Sequence, residues 1–222
     1  MVSQLKDHTI PEPEKTADGA FAEQQFTENY PSNEVVGTFY SNLTPEGYEE
    51  QMNRVNFNET YYIIDEIIRL IDDDVAYPTL TREAEIFDAG AGSGRMGTKL
   101  VKEGGLAPLV GCDASARFVQ HLLDSGNYKS VSEVWMGRGL DQFPTELQNR
   151  FDVVGAAGVF LKGHMPCAAM DDCHAALKVG GFLVTAMRSL YWENGQEEGY
   201  KDKLDELVAA GKLELINSFT FQ

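Results

Sequence analysis

Apolar positions recur at helical spacing between residues 34 and 83, whereas from residue 84 onward they fall in short runs separated by amphipathic stretches. In the first region Val35, Val36, Phe39 and Tyr40 precede a turn at Ser41-Asn42. Thr44-Pro45-Glu46 then reads as an N-cap with proline at the first helical position. The pattern predicts a helix over about 45–55, with Tyr48 and Met52 on one face. It predicts a second from about Asn58, carrying Tyr61, Ile64, Ile67, Ile68 and Ile71. Asp72-Asp73-Asp74 closes that helix, and three acids at a C-terminus oppose the helix dipole, so they read as a solvated loop.

In the second region Ile86 and Phe87 lead into Asp88, and Gly90, Gly92 and Gly94 follow at every second position. Met96, Leu100 and Val101 then alternate with Arg95, Lys99 and Lys102, which together predict a strand, a glycine turn and a helix. Further strands are predicted at 107–113, 131–136, 151–157, 181–187 and 213–221. Helices are predicted at 115–125, capped by Ser115, and at 166–177 and 200–210. Strands alternating with helices in this way predict an α/β fold. It is a doubly wound, mostly parallel sheet of six to seven strands, with helices on both faces and an N-terminal helical lid. Residues 1–33, with Pro11, Pro13, Gly19, Pro31 and many charges, read as a mobile arm. Residues 34–83 form a helical cap, and 84–222 form the core, in one domain with the cap.

Composition narrows the function classes. The chain has 222 residues, 43% of them hydrophobic, enough for one sizeable core. A net charge of −17 would repel phosphate backbones, so nucleic acid is not expected as a partner. No apolar run has the length of a bilayer span, and the first residues lack an apolar signal core, so a cytoplasmic protein without membrane contact is expected. Cys112, Cys167 and Cys173 are odd in number and show no paired spacing, which argues against a disulfide framework. His164, Cys167, Cys173 and His174 match no zinc spacing, and no metal is expected.

The glycine turn carries the candidate chemistry, since glycine permits unusual torsions and close ligand approach. Two ligand classes fit it. Gly92-x-Gly94-x-x-Gly97 followed by Asp113 spells a dinucleotide fingerprint. Asp88 at the strand end, however, would repel a pyrophosphate and could pair with a cationic amino group. A ligand-free structural turn is the third reading. In open α/β sheets ligands bind outside the carboxyl ends of the strands, so residues 90–94, Asp113 and the stretch after Ala157 should share one crevice.

Asp88-x-Gly90-x-Gly92-x-Gly94 resembles motif I of the class I S-adenosylmethionine (SAM) methyltransferases, which have a Rossmann-like fold. Val110-Gly-Cys-Asp113 looks like their motif II, Phe151-Asp-Val-Val154 like motif IV, and Leu177-Lys-Val-Gly180-Gly181 like their final motif, in the same order. Within that superfamily, residues 151–188 are similar to the methyltransferase-like family named after the Williams–Beuren syndrome region. Gly163-His-Met-Pro166, the closing Arg188 and the Tyr40…Tyr48 pair carry that likeness. Leu43, where that family has tryptophan, and Glu49 after the second tyrosine depart from it.

The resemblance implies a SAM-dependent methyltransferase that passes a methyl group to an oxygen, nitrogen or sulfur atom of a small-molecule acceptor, leaving S-adenosylhomocysteine. A protein methyltransferase, a non-catalytic scaffold or sensor of this fold, and an NAD-dependent oxidoreductase are the alternatives. For the cofactor it implies Asp113 on the ribose hydroxyls, Gly90, Ala91 and Gly92 along the ribose and methionine, and Asp88 near the methionine ammonium. Ala114 and Leu140 would flank the adenine, with Ala157 at the end of the fourth strand. Gly139 stands where many relatives have an acid, and Asp141 follows it closely. For the acceptor it implies Tyr40, Phe160 and Arg188. His164 and Tyr48 are the catalytic candidates, His164 as a base. Each has a plainer reading: His164 as a helix-orienting residue, the tyrosines as core packing, Arg188 as half of a salt bridge. Only 213–221 follows the last helix, where class I enzymes carry two strands. An uncovered edge would invite a second chain, so a monomer or weak homodimer is expected.

Overall fold

The computed structural model describes residues 33–54 and 57–221, so most of the predicted N-terminal arm lies outside the described residues. Three helices come first: α1 (Asn33–Asn42), α2 (Pro45–Arg54) and α3 (Glu59–Asp72). Then follow β1 (Ile86–Ala89), α4 (Arg95–Thr98) continued by a π turn (Lys99–Glu103), β2 (Leu109–Asp113), α5 (Ala116–Asp124) and β3 (Tyr128–Glu133). The chain continues through β4 (Phe151–Ala156), α6 (Ala169–Ala176), β5 (Leu177–Thr185) and α7 (Tyr200–Ala209).

The strands pair in the order β3-β2-β1-β4-β5, and every pairing is parallel. Chain direction reverses its build-out between β1 and β4, which makes the carboxyl ends of those strands the switch point. Parallel strands are covered on both faces and so read as continuous apolar runs. All four residues of β1 are buried accordingly. Alternate side chains feed two cores. Ile86 and Val153 join Ile63, Ile67 and Leu70 of α3 and Met96 of α4 on one face. Phe87 and Val154 join Met170 and Cys173 of α6 and Leu207 of α7 on the other. The cap is therefore fused to the core through α3, whose isoleucines reach the sheet. Among the described residues no helix is long and apolar enough to cross a membrane.

Three expectations need correction. The described sheet has five strands, because 213–221 forms no ladder: Leu215 and Ile216 are exposed and Phe221 stacks on Tyr62 at 4.1 Å. Apolar alternation is a strand signal only where a neighbouring edge supplies hydrogen bonds, and here an aromatic contact draws the segment toward α3. The third strand begins earlier than predicted, at Tyr128, because that side chain is buried beneath the glycine turn. Ser115 takes the N-cap position of α5, yet its hydroxyl makes no capping bond and is buried without a partner; the Asp113 carboxylate accepts from the Ser115 amide instead.

Candidate functional site

Three glycines in the left-handed region shape the turn after β1: Gly90 at φ 71°, Gly92 at 54° and Gly94 at 83°. Non-glycine residues adopt such torsions at a cost. At Gly90 a Cβ would also come within 2.7 Å of Val159 and Met165, so the loop after β4 lies directly over it. The turn is tied to β2 by Ala91 N–H donating to the Cys112 carbonyl at 2.8 Å and by Gly92 N–H donating to Asp113 Oδ2 at 2.9 Å. Asp113 Oδ1 accepts from Ser115 N–H at 2.9 Å. Each carboxylate oxygen thus holds one main-chain amide and keeps a further lone pair. Burial pushes the Asp113 pKa up, and the amides of Ser115, Gly92 and Ala114 act against that push.

Asp88 is 3% exposed at the carboxyl end of β1, and its Oδ2 accepts from the Tyr128 hydroxyl at 2.7 Å. That hydroxyl in turn accepts from Gly97 N–H at 3.1 Å. The Tyr128 ring occupies the space a side chain would fill at Gly97 and crowds Gly111, while Leu122 takes the corresponding space at Gly94. The last two glycines of the Gly92-x-Gly94-x-x-Gly97 spacing thus make room for two side chains of the chain itself, Leu122 and Tyr128. That accounts for the dinucleotide-like spacing without a pyrophosphate.

Burial, partly offset by the Tyr128 bond and reinforced by the negative Asp113, pushes the Asp88 pKa up to about 7. The unfolded chain releases this proton near pH 4, and the folded chain keeps it until about pH 7. Asp88 therefore favours folding below pH 4 relative to higher pH, and stability is lost as pH rises from 4 through 7. Asp88→Asn keeps an acceptor for Tyr128 and cannot ionise. It is expected to raise the melting temperature of the free protein clearly more at pH 8 than at pH 5, where less of the loss has accrued, measured by thermal scans at both values. An equal shift at both would remove Asp88 ionisation as the cause.

The cap closes over the turn through α2. The Glu49 carboxylate accepts from the Ser93 hydroxyl and from Arg95 Nε at 2.9 Å, while Arg95 also donates to the Phe57 carbonyl at 3.0 Å and to Asn53 Oδ1 at 2.7 Å. Glu59, at the start of α3, accepts from Gly158 N–H at 2.6 Å, and Phe57 sits against Gly158. Burial pushes the Glu59 pKa up; the Gly158 amide and the charge of Arg188 hold it back.

Tyr48, Asp88, Gly90, Ala91, Gly92 and Ala157 come together around one open cavity at the carboxyl end of β1. Sequence reading missed Phe57, Thr60, Ser93, Arg95 and Met96, which complete its lining. Asp113 and Ala114 adjoin it behind the turn, both half-buried. Gly139 and Leu140 stand apart, exposed on the loop after β3, which Asp172 of α6 anchors by accepting from Gly137 N–H at 2.6 Å. Phe160 does not wall the cavity: it is 1% exposed and packs edge-on against Tyr200 at 5.5 Å, because the loop after β4 turns it into the core. Arg188 follows β5 and lies near Glu59.

The two catalytic candidates differ in kind. Burial pushes the Tyr48 phenol well above its ordinary range, so it remains protonated and serves as a wall. His164 Nδ1 lies 3.1 Å from the Lys162 carbonyl and Nε2 lies 3.0 Å from the Tyr40 hydroxyl. A carbonyl can only accept, so the proton is assigned to Nδ1, and Nε2 accepts from Tyr40. Burial depresses the His164 pKa, which keeps the ring neutral. Tyr40, Tyr48, Phe118 and His164 form one aromatic cluster at ring separations of 5.6–6.3 Å. Among the described residues no group of three or more His, Cys, Asp or Glu could hold a metal ion.

The residues suit a ligand with a cationic amine and vicinal hydroxyls. A buried acid faces the cavity, a second acid keeps unused lone pairs beside it, and two glycines leave the turn backbone bare. Residues 87–185 match a family described as a methyltransferase domain. No curated protein sequence matches the chain. Among solved structures, a SAM-dependent TehB-like methyltransferase from Corynebacterium glutamicum is similar at 22% identity and TM-score 0.48, over 76% of this chain and 82% of that one. The magnesium protoporphyrin IX methyltransferase of Synechocystis, solved with S-adenosylhomocysteine, is similar at 16% identity and TM-score 0.45, over 65% and 68%. A Haloferax volcanii methyltransferase solved with an activator protein is similar at 18% identity and TM-score 0.48; the match covers 65% of this chain and 57% of that one.

Proposed function

We propose, on the premise that residues 87–185 are a methyltransferase domain with a Rossmann-like fold and S-adenosylmethionine as its cofactor, that the chain methylates an oxygen, nitrogen or sulfur atom of a small molecule. The observation that carries this reading is the convergence of Asp88, Gly90 and Gly92 on one cavity, with Asp113 directly behind the turn. Asp88 would hold the amino group of the cofactor, Asp113 the ribose hydroxyls, and the bare backbone at Gly90 and Gly92 the atoms between them. When bound, the cofactor supplies a methyl group already activated by its sulfonium. The chain's part is then mainly alignment, worth up to roughly 7–11 kcal/mol in well-oriented reactions.

The closed cap supports a small acceptor. Glu49 and Arg95 fasten α2 across the turn, and Phe57 and Tyr48 narrow the approach. Where the acceptor carries a proton to be lost, Tyr40 and His164 are the pair to take it. The neutral imidazole already accepts from the Tyr40 hydroxyl, so a proton delivered to Tyr40 can pass on to Nε2.

Calorimetric titration tests the cofactor first. Micromolar binding of S-adenosylmethionine and S-adenosylhomocysteine, with no heat from NAD, is the expected result. Binding of NAD without either adenosyl ligand would overturn the reading. Turnover is then followed as S-adenosylhomocysteine release across hydroxyl, amine and thiol acceptors.

A further inference from the structure

The methyltransferase reading assigns no role to Tyr128, yet its hydroxyl joins the backbone of α4 to the carboxylate of Asp88. Its ring fills the hollow left by Gly97 and crowds Gly111, the residue is 5% exposed, and both bonds of its hydroxyl are buried. The hydroxyl has one proton to give. Gly97 N–H, from the first turn of α4, donates to its oxygen at 3.1 Å, and this directs the phenolic proton to Asp88 Oδ2 at 2.7 Å. The chain of bonds therefore runs one way, from the α4 backbone through Tyr128 to the carboxylate that faces the cavity.

We propose that Tyr128 is a positioning residue for the cofactor's amino group: its hydroxyl, fixed by Gly97, orients the Asp88 carboxylate and favours its anionic form, the form that pairs with an ammonium. This rests on the SAM reading. Asp88 is buried enough that its charge is not guaranteed by water, and a donor to the anion is the means the structure provides. The ionisable groups that face Asp88 are few. Asp113 and Cys112 approach from β2, and Tyr128 from β3. Arg95 of α4 and Tyr48 of α2 line the same cavity. Burial keeps Cys112 and Tyr48 protonated, and Glu49 lies against the Arg95 guanidinium. Asp113 opposes ionisation of Asp88, which leaves the Tyr128 bond as the local term in its favour.

Tyr128→Phe keeps the ring and removes only the hydroxyl. Affinity for S-adenosylmethionine would be measured by calorimetry from pH 6 to pH 9. Binding of 5′-methylthioadenosine, which lacks the amino-acid portion, would be measured in parallel. Loss of one charge-assisted hydrogen bond should move the midpoint of the affinity curve up by about one pH unit. S-adenosylmethionine then binds about tenfold more weakly to the variant at pH 6, the two proteins converge toward pH 9, and 5′-methylthioadenosine binding is unchanged. A loss that is equal at every pH and shared by 5′-methylthioadenosine would overturn the proposal, since a merely structural role gives that result. No change at any pH would overturn it as well. The wild type supplies a second measurement that needs no variant. Titration of S-adenosylmethionine at pH 6.5 in two buffers of different ionisation enthalpy should show net proton release that 5′-methylthioadenosine does not cause, and its absence would also overturn the proposal. If wild type binds 5′-methylthioadenosine but not S-adenosylmethionine, the assignment of Asp88 fails along with the proposal; if it binds neither, the cofactor reading itself has failed.

Discussion

Asp113→Ala is expected to weaken S-adenosylmethionine binding by at least a hundredfold, given the proposed place of this carboxylate on the ribose. A carboxylate that accepts from two ribose hydroxyls makes hydrogen bonds to a charged group, each worth about 1.5–3 kcal/mol, and the alanine removes both. The variant also strips the turn of support. Gly92 N–H and Ser115 N–H both donate to this carboxylate, and both lose their acceptor when it is truncated. Asp113→Asn separates the two effects. Its amide oxygen can still accept one main-chain bond, so its melting temperature should lie between wild type and alanine while affinity remains strongly reduced. Calorimetry and thermal scans on the three proteins decide the matter. An alanine variant that binds within fivefold of wild type would show that the ribose is held elsewhere.

Gly97→Ala is expected to lower the melting temperature by about 6–12 °C, a large effect for one methyl group. The new Cβ would lie within about 2.5 Å of the Tyr128 ring and hydroxyl, far inside any real contact. The ring has nowhere to retreat, because it is also packed over Gly94 and Gly111. Alanine in a helix is favoured over glycine by about 1 kcal/mol, and this gain opposes the clash. Overpacking of about 1–3 kcal/mol, together with loss of the buried Tyr128–Asp88 bond at about 1.5–3, outweighs it and leaves roughly 3 kcal/mol of destabilisation. For a chain of this size each kcal/mol moves the transition by about 2–4 °C. Differential scanning calorimetry checks it; a drop under about 2 °C would show that Tyr128 can move aside.

What could be read from the sequence was what is local. Asp88 and the alternating glycines lie within one turn, and each strand announces itself by an apolar run, so the sheet core and most of the cavity floor were legible. Tyr128 was not, because its signal is distributed: one large residue matches absent side chains at Gly111 on β2 and Gly97 on α4, and only the fold brings them together. The clasp between Glu49 and Arg95 joins residues 46 positions apart, and nothing in the spacing pairs them. Glu49 was noticed only as a departure from a family pattern, yet it is the residue that fastens the cap. Residues 213–221 err in the opposite sense. Their alternation is a true strand signal, but a strand also needs an edge to pair with. Phe160 was assigned to the acceptor by resemblance, and the turn after β4 rotates it into the core.

The Glu49 clasp also bears on how fast a ligand comes and goes. α2 cannot swing away from the turn without parting Glu49 from both Ser93 and Arg95, whose side chain is only 11% exposed. Any passage of a ligand that needs α2 to move must wait for that parting, on arrival and on departure alike. Such a barrier slows the two passages by the same factor and cancels from the equilibrium constant. For such a passage, residence time is governed by a carboxylate outside the cavity's lining, and added salt, by screening the clasp, is expected to shorten the stay more than it weakens the hold.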